Sequence, residues 1–468
     1  KVLSMNALYH YSAAQTADLL RTNQVTCAEL IDTYLQRIDQ VNPQVNALTR
    51  VFHEDARQQA EKLDQLPEGL RGPLHGIPFT VKESIDCKGT PTTYGVPSLA
   101  NAMARQDAPC VSRLKDAGAI LIGRSNLSEF GIRICTDNPL HGATENPWNS
   151  FLTPAGSSGG EAVALASGFS CLGLANDSGG SLRSPAYCCG VAGLKPTQGR
   201  VPHASAHEPM DMGFVGQQFL SNGPMARTVR DLALSLPIIS GRHPRDPRSL
   251  TVDLSQALPK PEKPIAIVKS HLGQPFPQAI QQSLTLAEII LRDEGFTVEA
   301  IEIPDLEETN DLWAKFFVAD YQQLMRQIQP ALSQKTFHYL LDLCRLYDGE
   351  DLNPYDLHRD RSKLQRFWQH LFNSHAAIIC PTWTQPPWPV DADLDPQTGL
   401  NIVSETTQYL LAANVLGLPA VSMPVGIEDG LPGGIQIYSE WWREDLCLGV
   451  GQIIEQHLEP ITPIDPRF

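Results

Sequence analysis

The first fifty residues repeat apolar positions with a helical period. Ser12 with Gln15, and Thr26 with Glu29, each place a hydroxyl three residues ahead of an amide or acid. That is the capping-box pattern that opens a helix. After the second box, Leu30, Ile31, Tyr34, Leu35, Ile38 and Val41 recur on one helical face, and Pro43 is expected just past the helix end. The pattern predicts an N-terminal helical arm over residues 1–50. Its one-sided apolar face needs a partner, either the body of the protein or a second copy of the chain.

From about 75 to 235 short apolar runs alternate with helical stretches. Residues 77–81 and 119–122 read as strands, with a helix over 111–117 between them. Such alternation points to βαβ units. Residues 264–268 and 296–303 supply further strands flanking a helix. Residues 305–375 read as a mostly helical insert, in which Trp313, Phe317 and Tyr321 fall at i, i+4 and i+8 on one face. That face either packs on the core or lines a pocket. Strand character returns at 376–380, 419–425 and 434–437, and residues 241–263, rich in Pro and Arg, read as a surface connector. The fold expected is α/β: one large domain over residues 1–468 with a mixed, mostly parallel central sheet flanked by helices.

Composition narrows the function. The 468 residues carry a net charge of −16, which argues against nucleic acid or anionic membrane as partner. No apolar run approaches the roughly 20 residues of a membrane span, and residues 1–5 lack a signal-peptide pattern, although the chain does not begin with Met. The ten cysteines include no Cys-x-x-Cys pair, and Cys188 and Cys189 are adjacent. They read as free thiols of a cytoplasmic protein. His203, His207 and Asp211 have ligand-like spacing, but Pro and Ser interrupt the region, so no metal and no cofactor are expected.

Three short segments carry candidate chemistry. Gly76-Ile-Pro-Phe-Thr-Val-Lys82 ends an apolar strand on a lysine, which is either buried or snorkels to the surface. Thr153-Pro-Ala-Gly-Ser157-Ser-Gly-Gly160 surrounds a serine pair with glycines before a small-residue helix over 161–168. Ala175-Asn-Asp-Ser178-Gly179-Gly180-Ser181-Leu-Arg183-Ser-Pro185 sets a serine beside paired glycines, whose successive N–H groups can form an anion-binding nest. Ser184 and Pro185 fit a helix start there. Each of the last two alone is also an ordinary glycine turn. Ser181 lacks the Gly-x-Ser-x-Gly elbow of Ser-His-Asp hydrolases, and the histidines form no supporting set.

Together the three segments resemble the amidase-signature family. The likeness extends through residues 75–235, including Asn126-Leu-Ser-Glu129, Asn146-Pro-Trp148 and Gly193-Leu-Lys-Pro-Thr197, and returns at 417–425 and 430–436. The resemblance implies a Lys82 base, a bridging Ser157 preceded by a cis peptide, and a Ser181 nucleophile. It implies an oxyanion loop at Ser178, Gly179 and Gly180, supported by Asp177 and Arg183. Asn176 departs from the pattern, since many members carry Thr there. The activity implied is hydrolysis of a carboxamide through an acyl-serine, by a monomer or homodimer acting on a small-molecule amide. The alternative within the family is the glutaminase subunit of a tRNA-dependent amidotransferase, which needs a partner chain. The aromatic insert, and Trp441-Trp442-Arg-Glu-Asp-Leu-Cys447, lean toward the branch acting on fatty amides and an apolar or aryl substrate.

Overall fold

The computed structural model describes residues 5–204, 212–254 and 262–467. Helix Ala13–Arg21 and helix Cys27–Val45 both open with complete capping boxes, on Ser12 and on Thr26. Pro43 lies inside the last turn of the second helix rather than beyond it. The helix closes on Asn46, whose φ of 48° is left-handed. Asn42 Oδ1 accepts from the N–H groups of Ala47 and Leu48, so side-chain bonds replace those the turn can no longer make. The apolar face of this helix is buried against the body of the protein, which resolves the choice of partner. Tyr34 Oη meets Cys171 Sγ at 2.9 Å, and Arg37 Nε donates to the Ser167 carbonyl at 2.9 Å.

Strands β1 (Leu48–Val51), β2 (Pro78–Lys82), β3 (Ile120–Ser125), β4 (Leu172–Asp177), β5 (Ala192–Lys195), β6 (Ser221–Ala226) and β7 (Ile265–Val268) enter the central sheet. A small separate hairpin, β8 (Ser270–His271) and β9 (Gln274–Pro275), follows. Then β10 (Val298–Ile301), β11 (Ala377–Cys380), β12 (Ala420–Glu428) and β13 (Leu431–Ser439) complete an 11-stranded sheet in the order β1-β3-β2-β4-β6-β5-β12-β13-β11-β7-β10. The sheet is mixed. The parallel pairing read from the βαβ alternation is confined to two blocks, β3-β2-β4 and β11-β7-β10. Between and beside them the pairings are antiparallel. The parallel pair β2–β3 needs a crossover, which helix Pro109–Asp116 supplies, whereas the antiparallel pair β12–β13 closes with a short turn. Asp429 and Gly430, at φ 50° and 81°, make such a turn between β12 and β13.

Helices cover the sheet. Gly159–Ala166 is buried along its whole length. Helix Arg183–Cys189 begins earlier than Ser184 and Pro185 suggested, with Leu182 at its N-cap, and the Ser184 hydroxyl instead accepts from Trp383 Nε1 at 2.9 Å. Residues 305–375 form helices Leu306–Ile328, Gln334–Arg345 and Pro354–Ser374. All ten cysteines are free thiols. Among the described residues no helix is long and apolar enough to cross a membrane. The described parts of 241–263 form turns without regular strand or helix.

Candidate active site

The C-terminal ends of β2 and β4 lie side by side in the first parallel block, and they bring two of the sequence motifs together. Lys82 ends β2 and is fully buried. Its Nζ lies 2.7 Å from Ser157 Oγ and 2.8 Å from Asn176 Oδ1. Asn176 in turn donates from Nδ2 to Ser84 Oγ at 2.9 Å. Burial pushes the Lys82 ammonium down to about 7, against the opposing pull of Asp177 and Glu161. Glu83 faces the other way, as alternation along a strand requires. Its carboxylate is bonded to Thr49, Thr93 and His141.

Ser157 precedes the N-terminus of helix Gly159–Ala166, and the Gly156–Ser157 peptide is cis, as the resemblance implied. A Cβ on Gly156 would come within 2.5 Å of Ser128 Oγ and 2.8 Å of the Arg133 carbonyl, so only glycine fits the approach. The Ser181 carbonyl accepts from the Ser158 N–H at 3.1 Å, which ties the loop of Ser181 to the residue after Ser157.

The loop from Ser178 to Ser181 is built around a buried ion pair. Asp177 ends β4, and its carboxylate takes Arg183 Nε at 2.9 Å and Asn414 Nδ2 at 2.8 Å. Burial alone would raise this carboxyl, but Arg183 overrides it and holds it well below the usual carboxylate range. Asp177 Oδ1 also accepts from the Gly180 N–H at 2.7 Å. Gly180 therefore has its N–H committed to the loop itself. The N–H groups of Gly179 and Ser181 have no acceptor among the described residues. From outside, the indole of Trp313 closes the loop, with Nε1 donating to the Ser178 carbonyl at 2.8 Å. A Cβ on Gly179 would meet that indole at 2.6 Å.

Ser181, Ser178, Gly179 and Gly156 all line one cavity of about 410 Å³. Its walls include Ile132, Trp313, Phe317, Tyr339, Leu343 and Val403. Trp313 and Phe317 stack with ring centroids 5.0 Å apart, and Tyr321 continues the row at 4.5 Å. The predicted aromatic face thus meets the cavity in part. Phe316 turns the other way and stacks on Phe214 at 5.0 Å. Trp441 and Trp442 do not line the cavity. They donate to the Leu416 carbonyl and lie against Arg200 respectively, so they carry no substrate signal.

Two partners of the site escaped the reading of the sequence. Asn176 appeared only as a departure from a pattern, yet it holds Lys82. Glu161 is fully buried in an otherwise apolar helix, and its carboxylate accepts from Ser125 Oγ at 2.6 Å and from Thr80 Oγ1. Burial pushes it up to about 7. A lone acid in a run of Gly, Ala, Val and Leu was the available signal. Of the His203, His207 and Asp211 set, only His203 lies within the described residues. Its backbone N–H donates to Asp246 Oδ2 at 2.8 Å.

The Amidase family profile matches residues 29–448. The chain is 34% identical over 459 residues to an indoleacetamide hydrolase of Bradyrhizobium diazoefficiens, covering 96% of this chain and 86% of that one. It is 31% identical to a glutamyl-tRNA(Gln) amidotransferase subunit of Geobacillus stearothermophilus, covering 96% and 98%. Among solved structures, a bacterial aryl acylamidase of the amidase-signature family superposes with a TM-score of 0.80 at 26% identity, covering 95% and 96%.

Proposed function

The chain belongs to the amidase-signature family and is an amide-hydrolysing enzyme, and from that premise we propose that it cleaves a primary amide of an aryl-substituted acyl group through Ser181, Ser157 and Lys82. Neutral Lys82 keeps one hydrogen on Asn176 Oδ1 and turns its lone pair to Ser157, 2.7 Å away. It takes the Ser157 proton while Ser157 takes that of Ser181, and Ser181 Oγ attacks the amide carbon. The carbonyl oxygen gains the negative charge and receives hydrogen bonds from the Gly179 and Ser181 N–H groups. The proton returns along the same route to the leaving nitrogen, so ammonia departs and an acyl-serine remains. Water then attacks with the same base, releasing the carboxylate and restoring Ser181.

The observation carrying this reading is the buried Lys82–Ser157 contact, with the lysine near neutrality, at the edge of a cavity lined by aromatics. An aryl acyl group is supported by Trp313, Phe317 and Tyr339 in that lining, and by the indoleacetamide hydrolase and aryl acylamidase relatives. The likeness to the amidotransferase chain supports a second reading, ammonia release from glutamine for a partner chain. The apolar walls favour the first. The test is a turnover panel of arylacetamides, aliphatic amides and glutamine with purified single chain and with Ser181→Ala. We expect arylacetamides to be preferred, and Ser181→Ala to be folded but inactive. Turnover by folded Ser181→Ala removes the nucleophile from this reading. Activity on glutamine alone, and only with a second chain, moves the function to the amidotransferase.

A further inference from the structure

The segment Asn126-Leu-Ser-Glu129 belongs to the family likeness, yet the mechanism gives its acid no task. Glu129 is buried, and its carboxylate is bonded to a distant part of the chain. Oε1 accepts from the Ser333 N–H at 2.7 Å, and Oε2 accepts from Ser333 Oγ and Thr336 Oγ1. Ser333 is the N-cap of helix Gln334–Arg345, so a negative charge stands at the positive end of that helix. Thr336, Tyr339 and Leu343 fall at i, i+3 and i+7 on the helix, and the last two line the cavity. The face that Glu129 holds is therefore the face that walls the cavity.

The backbone around Glu129 leads to the serines. The Ser128 N–H donates to the Ser157 carbonyl at 3.1 Å, the Gly131 N–H to the Ser128 carbonyl at 2.8 Å, and the Ile132 N–H to the Glu129 carbonyl at 3.1 Å. Gly131 lies so near Ser157 that a Cβ on it would stand 3.3 Å from Oγ. One short turn thus touches Ser157 through its backbone and the wall helix through its carboxylate.

Taking a carboxylate out of water is costly, so added stability alone does not account for an acid at this point. What the charge supplies is geometry, because hydrogen bonds to it are shorter and stronger than neutral ones. A second tie runs from Lys335 to Asp137 at 3.0 Å and to Asp391 at 2.8 Å, but that lysine is exposed, and exposed pairs hold little. Resting on the proposed amide chemistry at Ser181, we infer that Glu129 is a positioning residue for substrate selection. It docks the wall helix at a fixed distance from the serines and so sets how well an aryl acyl group is held. An acyl group too small to reach Tyr339 and Leu343 gains nothing from it.

The test takes two readouts on the full chain. One is kcat/KM for an arylacetamide, which needs the wall. The other is the rate of labelling by a fluorophosphonate bearing only methyl groups, which needs only the serines. Ser333→Ala and Thr336→Val each remove one donor from the helix side and leave the turn intact. Each should lower kcat/KM for the arylacetamide roughly 3- to 30-fold, mostly through KM, and keep the labelling rate within about two-fold. Ser333→Thr keeps the hydroxyl and should keep the activity. On a Glu129→Gln background the same removals should cost less, because the charge they served is gone. Unchanged arylacetamide kinetics in folded Ser333→Ala and Thr336→Val overturns the inference. So does an equal loss in both readouts, a loss in Ser333→Thr as large as in Ser333→Ala, or losses that Glu129→Gln leaves undiminished. Should Glu129→Gln fail to fold, the helix-side variants decide alone. No labelling of the unaltered chain would instead sink Ser181 as nucleophile, and this inference with it.

Discussion

The rate of this enzyme should follow the protonation of Lys82. Burial lowers that lysine to about 7, so about half of it is neutral at pH 7. At the ordinary lysine value, near 10.4, the neutral fraction would be under about one part in a thousand. The sign is fixed by the chemistry: the base is present above this pKa and lost as pH falls through it. Between pH 7 and pH 5 the neutral fraction drops roughly 50-fold, and kcat/KM should fall with it. Stability moves in the same sense at higher pH. The unfolded lysine keeps its proton to about 10.4 and the folded one releases it near 7, so Lys82 makes stability rise with pH between those values. Lys82→Arg places a cation that cannot deprotonate at the same point. Losing the base should cost about 10²- to 10⁴-fold in kcat/KM. The assay is hydrolysis of an arylacetamide from pH 5 to 9, with the rate of fluorophosphonate labelling of Ser181 as an independent readout. A flat profile between pH 5 and 8, or near-normal turnover by folded Lys82→Arg at pH 7, would refute the proton relay and leave Lys82 a structural cation.

Two further perturbations follow from its surroundings. Glu161 raises the Lys82 pKa by its charge, so Glu161→Gln should move the acidic limb of the rate profile to lower pH. An unmoved or upward-shifted limb in the folded variant would show that this carboxyl is neutral or uncoupled in the working enzyme. Trp313→Phe keeps a ring over Gly179 but removes the donor to the Ser178 carbonyl. One lost hydrogen bond of about 0.5–1.5 kcal/mol predicts a fall in kcat of roughly 2- to 10-fold. Steady-state kinetics with unchanged kcat would mean that Asp177 and Arg183 hold the loop without the indole.

Local sequence determined a good deal of this protein. Capping boxes on Ser12 and Thr26 act over three residues, and a hydrophobic face with helical period declares itself within two turns. The glycine–serine segments around Ser157 and Ser181 are local too, because tight backbone approaches demand particular residues at particular offsets. Periodicity could not say which strand stands beside which, since pairing partners lie far apart in the chain. It implied a mixed sheet without locating the antiparallel pairs in it, and it placed Pro43 and Ser184 by local rules that side-chain bonds from Asn42 and Trp383 overrode. What only the tertiary structure decided is the electrostatic state of the site. Lys82 is a candidate base because packing removes water from it and brings Ser157 and Asn176 to its Nζ, 75 and 94 residues along the chain. The Gly180 N–H is withdrawn from anion binding because Asp177 takes it, and Trp313 reaches Ser178 from 135 residues away. Desolvation and long-range contact are properties of the packed molecule, so no stretch of sequence carries them by itself.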